Sequence, residues 1–307
     1  MVNDPYVQAF GPMVVGCLLA VLWWLISGRG RRSPRGRVAV TALIAGAVTL
    51  GGAIGLRVVT AAPLVPSYLS WPAAAQWYRD SMYWVPIVLG LIAVVVLMYP
   101  VSAPRAAGTA DLTRRTPFTF GERWWFAAPM VVVAAVVVVT VTAGALSEPD
   151  EQGRYTAYVI RPNADSSFGT TIYGWHYSVP CLILIGALAV ATVTALALNA
   201  RPPIGADRDA DLLARRQRAG SILAVTTGSL LLHLGVVLSS LAATAQGTAT
   251  FYYGDRHYAR VDTTLAGFEP IMTHSARLVL VLGFFALATV LLSAIPARRT
   301  ATAEARS

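Results

Sequence analysis

Apolar residues in this chain do not alternate with polar ones. They run on in long blocks, separated by shorter polar stretches rich in Arg, Pro and Gly. A helix crosses about 30 Å of hydrocarbon with about 20 residues, and seven blocks meet that length: 8–27, 38–62, 82–100, 125–146, 175–199, 221–246 and 276–296. The strands of a membrane β-barrel alternate apolar and polar positions over about ten residues, and the near-continuous Val, Leu and Ala runs exclude that class. The pattern predicts an all-α membrane protein, with seven transmembrane helices forming a single transmembrane domain over 1–307.

Composition agrees, and charge adds an orientation. Residues are 56% hydrophobic and 13% charged, against about 25% charged in ordinary soluble chains. The formal net charge of +9 invites a nucleic-acid partner, yet the placement of the arginines gives a simpler cause. Arg29, Arg31, Arg32, Arg35 and Arg37 lie between the first two blocks without an acid among them. Arg105, Arg114, Arg115 and Arg123 follow the third block, Arg201, Arg208, Arg215, Arg216 and Arg218 the fifth, and Arg298, Arg299 and Arg306 the last. Short Arg-rich loops stay cytoplasmic. All four segments fall on one side, which predicts the N-terminus outside, the C-terminus cytoplasmic and the lipid bilayer, not nucleic acid, as the partner.

The opening "MVNDPYVQAFGP" has no basic region before its apolar run, so the first block is expected to be an uncleaved anchor. The chain has no Lys among its 24 basic residues and is rich in Ala, Val and Gly. That composition looks like the product of a high-GC bacterial genome. Cys17 and Cys181 both fall inside apolar blocks, as small apolar residues do.

Tyr-x-Val-Pro occurs twice, at Tyr83 to Pro86 and at Tyr177 to Pro180, each time where an apolar block begins on the predicted outer side. Tyr favours the headgroup level, and Pro suits a helix's first turn, whose N–H groups lack acceptors in any case. The pair also suggests a parallel repeat, three helical hairpins in one orientation plus a seventh helix. Gly51 and Gly55 in the second block have the spacing of a small-residue contact face.

The longer outer segments are aromatic. Segment 63–81 holds Tyr68, Trp71, Trp77 and Tyr78. "RYTAYVIRP" in the next reads as a strand, and "TATFYYGDRHYARVDTT" as two strands around a two-residue turn at Gly254 and Asp255. A small extracytoplasmic cap with β-hairpin structure is expected, with Tyr253 and His257 as candidate ligand-binding residues.

Candidate chemistry is sparse. A retinal Schiff base needs a lysine, and there is none. Walker A, GxSxG and dinucleotide signatures are absent. His233 falls mid-way along the sixth block, where an ionisable side chain faces the bundle or a cavity and either binds a ligand or hydrogen-bonds a neighbouring helix. His176, His257 and His274, with Asp255, Asp262 and Glu269, gather toward the outer face without tight metal-ligand spacing, so neither a metal nor a cofactor is expected. His176, Tyr83 and Tyr177 are the remaining ligand candidates. Asp207, Asp209 and Asp211 beside cytoplasmic arginines fit either a lipid-phosphate enzyme or helix capping, and Asp211 and Arg215 have ion-pair spacing on one helix face.

"YGWHYSVP", its apolar run and "ARPPIGADRDADL" resemble polytopic integral membrane proteins of actinobacteria. The resemblance implies an inner-membrane address and an association with transport or regulation, and carries no site residues. Three functions remain in play: a non-enzymatic accessory or sensing partner of an envelope transport system such as an ABC transporter, a small secondary transporter with a cavity at His233, and a membrane enzyme acting on lipid phosphate.

Overall fold

Lipid offers no hydrogen bonds, so an apolar run inside it closes its backbone bonds on itself. In the computed structural model these runs form helices α1 (Pro5–Ser27), α2 (Arg37–Thr60), α3 (Val85–Met98), α4 (Arg123–Ala145), α5 (Trp175–Asn199), α6 (Arg208–Ala245) and α7 (Glu269–Ser293). The structure describes residues 5–27, 37–60, 77, 81–99, 123–163, 166–200, 208–253 and 257–295. Most of the Arg-rich segments lie outside the described residues.

Six of these helices are long and apolar enough to cross a membrane, the make-up of a multi-pass membrane protein. The third expected span is shorter than 82–100: α3 has 14 residues and covers about 21 Å. Ser81 to Trp84 turn before it, with the Trp84 N–H donating to Ser81 at 3.2 Å. The sixth is longer than 221–246. Its 38 residues extend about 57 Å, because the polar stretch from Arg208 to Arg218 is helical as well.

α6 is the axis of the bundle, 78% of its most apolar window being buried against 17% for α1 and α4. It packs along α7 and also against α3, α4 and α5. α1 leans on α7, where Gly16 lets the helices close until a Cβ there would sit 2.8 Å from the Cβ of Phe284. The three expected hairpins pack unequally: α5 and α6 lie against each other, α1 and α2 touch little, α3 and α4 scarcely at all, and α3 lies between α2, α5 and α6. Among the described residues nothing lies within 4 Å of where a Cβ would sit on Gly51 or Gly55. The close approaches of α2 are at Gly46 against Leu291 and Gly52 against Leu89.

A β cap covers one end of the bundle. Strands β1 (Glu148–Pro149), β2 (Tyr155–Asn163) and β3 (Ser166–Thr171) form an antiparallel sheet in that order, and β4 (Thr248–Tyr253) pairs antiparallel with β5 (His257–Asp262). The second hairpin differs from the expected two-residue turn: Tyr253 pairs with His257, so three residues connect the strands. Those three lie outside the described residues. Hydrogen bonds join cap to helices. Thr244 at the end of α6 donates to the Thr171 carbonyl at 2.8 Å and Thr263 donates to Ala245 at 2.9 Å, while the Tyr158 and Thr264 hydroxyls share a bond that joins β2 to the turn after β5.

The end opposite the cap is held from one stretch of α6. Arg215 donates to the Asn199 carbonyl at the end of α5, Gln217 to Ser293 at the end of α7 at 2.8 Å, and Arg218 to Leu97 and Tyr99 at the end of α3. The last carbonyls of a helix have no acceptor role within it and carry partial negative charge, so cationic donors suit them. Three helices that run in the same direction therefore finish on the start of a fourth.

Candidate functional site

The two Tyr-x-Val-Pro entrances meet. α3 and α5 run parallel with their starts together, and the Tyr83 and Tyr177 rings lie 5.1 Å apart at 48°. Their prolines sit differently. Pro86 is in the first turn of α3, whereas α5 already begins at Trp175 and carries Pro180 inside the helix. The motif thus marks a shared contact, not a shared cap.

Tyr83 is the hub. Tyr173, just before α5, packs on it with centroids 4.7 Å apart, and the Tyr83 hydroxyl bonds Ser240 on α6 at 2.6 Å. Pro86 brings no N–H to the turn, and Ile87 and Val88 both donate to the Trp84 carbonyl, at 3.1 and 3.0 Å. The Tyr83 carbonyl accepts from Nδ1 of His233 at 2.7 Å. His233 lies toward the C-terminal part of α6, level with the start of α3, and is 0% exposed. A neutral imidazole donating through Nδ1 presents Nε2 as a bare acceptor.

Among the described residues that Nε2 is buried without a hydrogen-bond partner, and so is the Ser178 hydroxyl on α5; the Thr140 hydroxyl on α4 is buried beside the Tyr173 hydroxyl. Tyr173 crosses His233 edge to face, centroids 6.1 Å apart at 69°. The Thr140 hydroxyl and the Cys181 thiol neighbour the Tyr173 hydroxyl at the margin of hydrogen-bonding distance. Four elements thus bring an imidazole, a phenol, an aliphatic hydroxyl and a thiol into an interior that contains no fixed charge among these side chains.

Of the other candidates, His176 is exposed with its ring against Tyr177 at 5.0 Å, so it flanks the cluster from outside. Tyr253 and His257 face each other across β4 and β5, and their side chains lie outside the described residues. His274 is tied to its own helix by the Pro270 carbonyl at 2.7 Å. Among the described residues no three His, Cys, Asp or Glu side chains gather as a metal site.

The acid at the opposite end is engaged. Asp211 is 5% exposed and accepts from Nε of Arg215 at 2.9 Å, while Asp207 and the side chain of Asp209 lie outside the described residues. Sequence reasoning passed over Tyr173, Thr140 and Gln217, and read Arg218 only as one of the cytoplasmic charges. Thr140 had a visible signal, a hydroxyl inside "VVVVTVTAG", and Tyr173 had none beyond its place before a span. No family model, curated relative or solved structure matches this chain.

Proposed function

We propose that this chain is a non-enzymatic multi-pass component of a bacterial inner membrane, with its N-terminus outside and its C-terminus cytoplasmic. It serves as accessory or sensing partner to an envelope transport system, for which an ABC transporter is the expected type. The observation that carries this reading is the continuous mechanical connection of cap and bundle. β3 is bonded to the end of α6 through Thr171 and Thr244, and the start of the same helix holds the ends of α3, α5 and α7. A contact on the cap bears on α6, and α6 bears on the far face.

The test is purification of the full chain from native membranes, with identification of whatever accompanies it. A stoichiometric membrane partner with its ATPase supports the proposal, and a protein that works alone in proteoliposomes overturns it. Orientation has its own test. Ser33→Cys and Ser166→Cys variants are exposed to an impermeant thiol reagent in intact cells, and modification of the Ser33 variant alone reverses the assignment.

The unpartnered Nε2 of His233 favours a second reading, a small secondary transporter. Solute uptake by the purified chain that fails in His233→Asn would support it. A lipid-phosphate enzyme has less support, because Asp211 is committed to Arg215.

A further inference from the structure

From Arg218 to Leu238 every residue of α6 is buried except Ala224, Thr227, Leu231 and Leu238, which are half-buried. Spacings of three, four and seven residues put these four on one face of the helix. The faces on either side are taken. Gly228 and Gly235 meet Leu287 and Leu280 of α7, and Gly220 lies under the Trp125 ring of α4, which a Cβ there would approach to 2.5 Å. α4 and α7 both pack on α6 and scarcely meet each other. Between them runs a narrow groove with one stripe of α6 as its floor, apolar but for Thr227. Toward the start of α6 the same face continues through Arg216 and Leu213, both exposed, at the level where α3, α5 and α7 end. Between Leu213 and Leu238 that face carries no acid.

We propose that this groove binds one anionic phospholipid from the leaflet at the start of α6. One acyl chain lies on Ala224, Thr227 and Leu231 between α4 and α7, and the phosphate pairs with the Arg216 guanidinium. Width decides against a protein occupant: a helix is about 10 Å across, and the two flanking helices leave a stripe one side chain wide. Depth fits a chain, since Ala224 to Leu231 covers about 10 Å of the roughly 15 Å that one leaflet of the hydrocarbon core provides. Charge decides the headgroup. Arginine reaches from an apolar surface to the headgroup level and matches phosphate oxygens with paired N–H donors. A lipid of net negative charge keeps that attraction in full, whereas a zwitterion brings its own cation to the same place. Trp124, 64% exposed and edge-on to Trp125 at the start of α4, marks the same level, because Trp favours the interface. The inference is independent of which partner the protein serves.

The experiment titrates the full-length chain in neutral detergent with phosphatidylglycerol or phosphatidylcholine and counts the lipids retained per chain by native mass spectrometry. One phosphatidylglycerol held in preference to phosphatidylcholine supports the proposal, and equal retention of the two overturns it. Arg216→Gln is expected to weaken phosphatidylglycerol binding at least about tenfold, as loss of a charge-assisted contact does, and to leave phosphatidylcholine retention as it was. Arg260→Gln, at an exposed arginine of the cap, should change neither; an equal loss there would reduce the effect to general surface charge and overturn the site. Ala224→Phe keeps every charge and fills the floor, so it should also expel the lipid, and unaltered binding in the folded variant overturns the groove. Should that variant fail to fold, Thr227→Phe blocks the same floor. A photoactivatable acyl chain on phosphatidylglycerol reads the location directly. Attachment to α6 at 224–231, or to the facing sides of α4 and α7, supports the groove, and attachment only elsewhere overturns it.

Discussion

Arg218 of α6 donates to the Leu97 carbonyl of α3 through Nε at 3.0 Å and Nη2 at 2.5 Å, with Nη2 also 2.9 Å from the Tyr99 carbonyl. One buried guanidinium thus completes the end of a helix that is too short to reach far by itself. Hydrogen bonds to charged groups contribute about 1.5 to 3 kcal/mol. Arg218→Met is expected to lower stability by about 2 to 3 kcal/mol on that scale, measured by unfolding in detergent. Arg218→Lys recovers only part, since an ammonium lacks the planar fork that serves two carbonyls together.

Asp211 and Arg215 form a buried pair, and breaking one side leaves an uncompensated charge. Asp211→Asn is expected to cost about 3 to 5 kcal/mol. The double variant Asp211→Leu with Arg215→Met should cost clearly less than the two single variants together. A double-mutant cycle that comes out additive would show that the two side chains do not work as a pair.

Gly90 is where α3 meets α6. A Cβ at that position would lie 2.6 Å from the Ser229 Cβ. Gly90→Ala is expected to cost about 1 to 3 kcal/mol through overpacking. Adding Ser229→Gly removes the obstructing atoms and should restore most of the loss, and thermal midpoints of the single and double variants read the rescue.

The β cap carries an acid-sensitive turn. Asp150 accepts from the backbone N–H groups of Arg154 and Gln152, from the Thr156 hydroxyl and from the Arg154 side chain, each at 2.9 Å. Those bonds, the Arg154 backbone N–H first, hold its carboxyl at about 2. The folded value lies below the unfolded one of about 3.9, so the stabilisation is complete above about pH 4 and is lost as pH falls through about 2. Amide exchange across 150–156, corrected for its intrinsic pH dependence, should show protection dropping over that interval. Asp150→Asn removes the charge and should abolish the pH dependence.

Block hydropathy located the helices well because length and apolarity are what a bilayer selects. The fifth block, 175–199, coincides with Trp175–Asn199, and the fourth differs by two residues at its start and one at its end. Hydropathy failed where polar side chains are structural. Arg215, Gln217 and Arg218 reduce the apolar score of the very turns by which α6 holds its neighbours, so the sixth block begins 13 residues after Arg208. The hairpin pairing was only partly legible: α5 packs on the helix that follows it whereas α3 does not, and the Tyr shared by the two entrances marks a contact between α3 and α5. His233 was legible as an anomaly. Its partners were not, because the Tyr83 carbonyl and Tyr173 arrive from segments that only folding brings near.

The Leu97 carbonyl and the Arg218 guanidinium are separated by 121 positions along the chain. Ribosomes add about 5 to 20 residues per second, so α3 is made roughly 6 to 24 s before its terminal carbonyls meet the side chain that completes them. α5 waits a much shorter time for Arg215, only 16 positions beyond Asn199. During the longer interval α3 depends on the insertion machinery or on headgroup water for those hydrogen bonds. The third helix therefore waits at both ends for partners made much later, and a variant at Arg218 is expected to lower how much protein reaches the membrane intact.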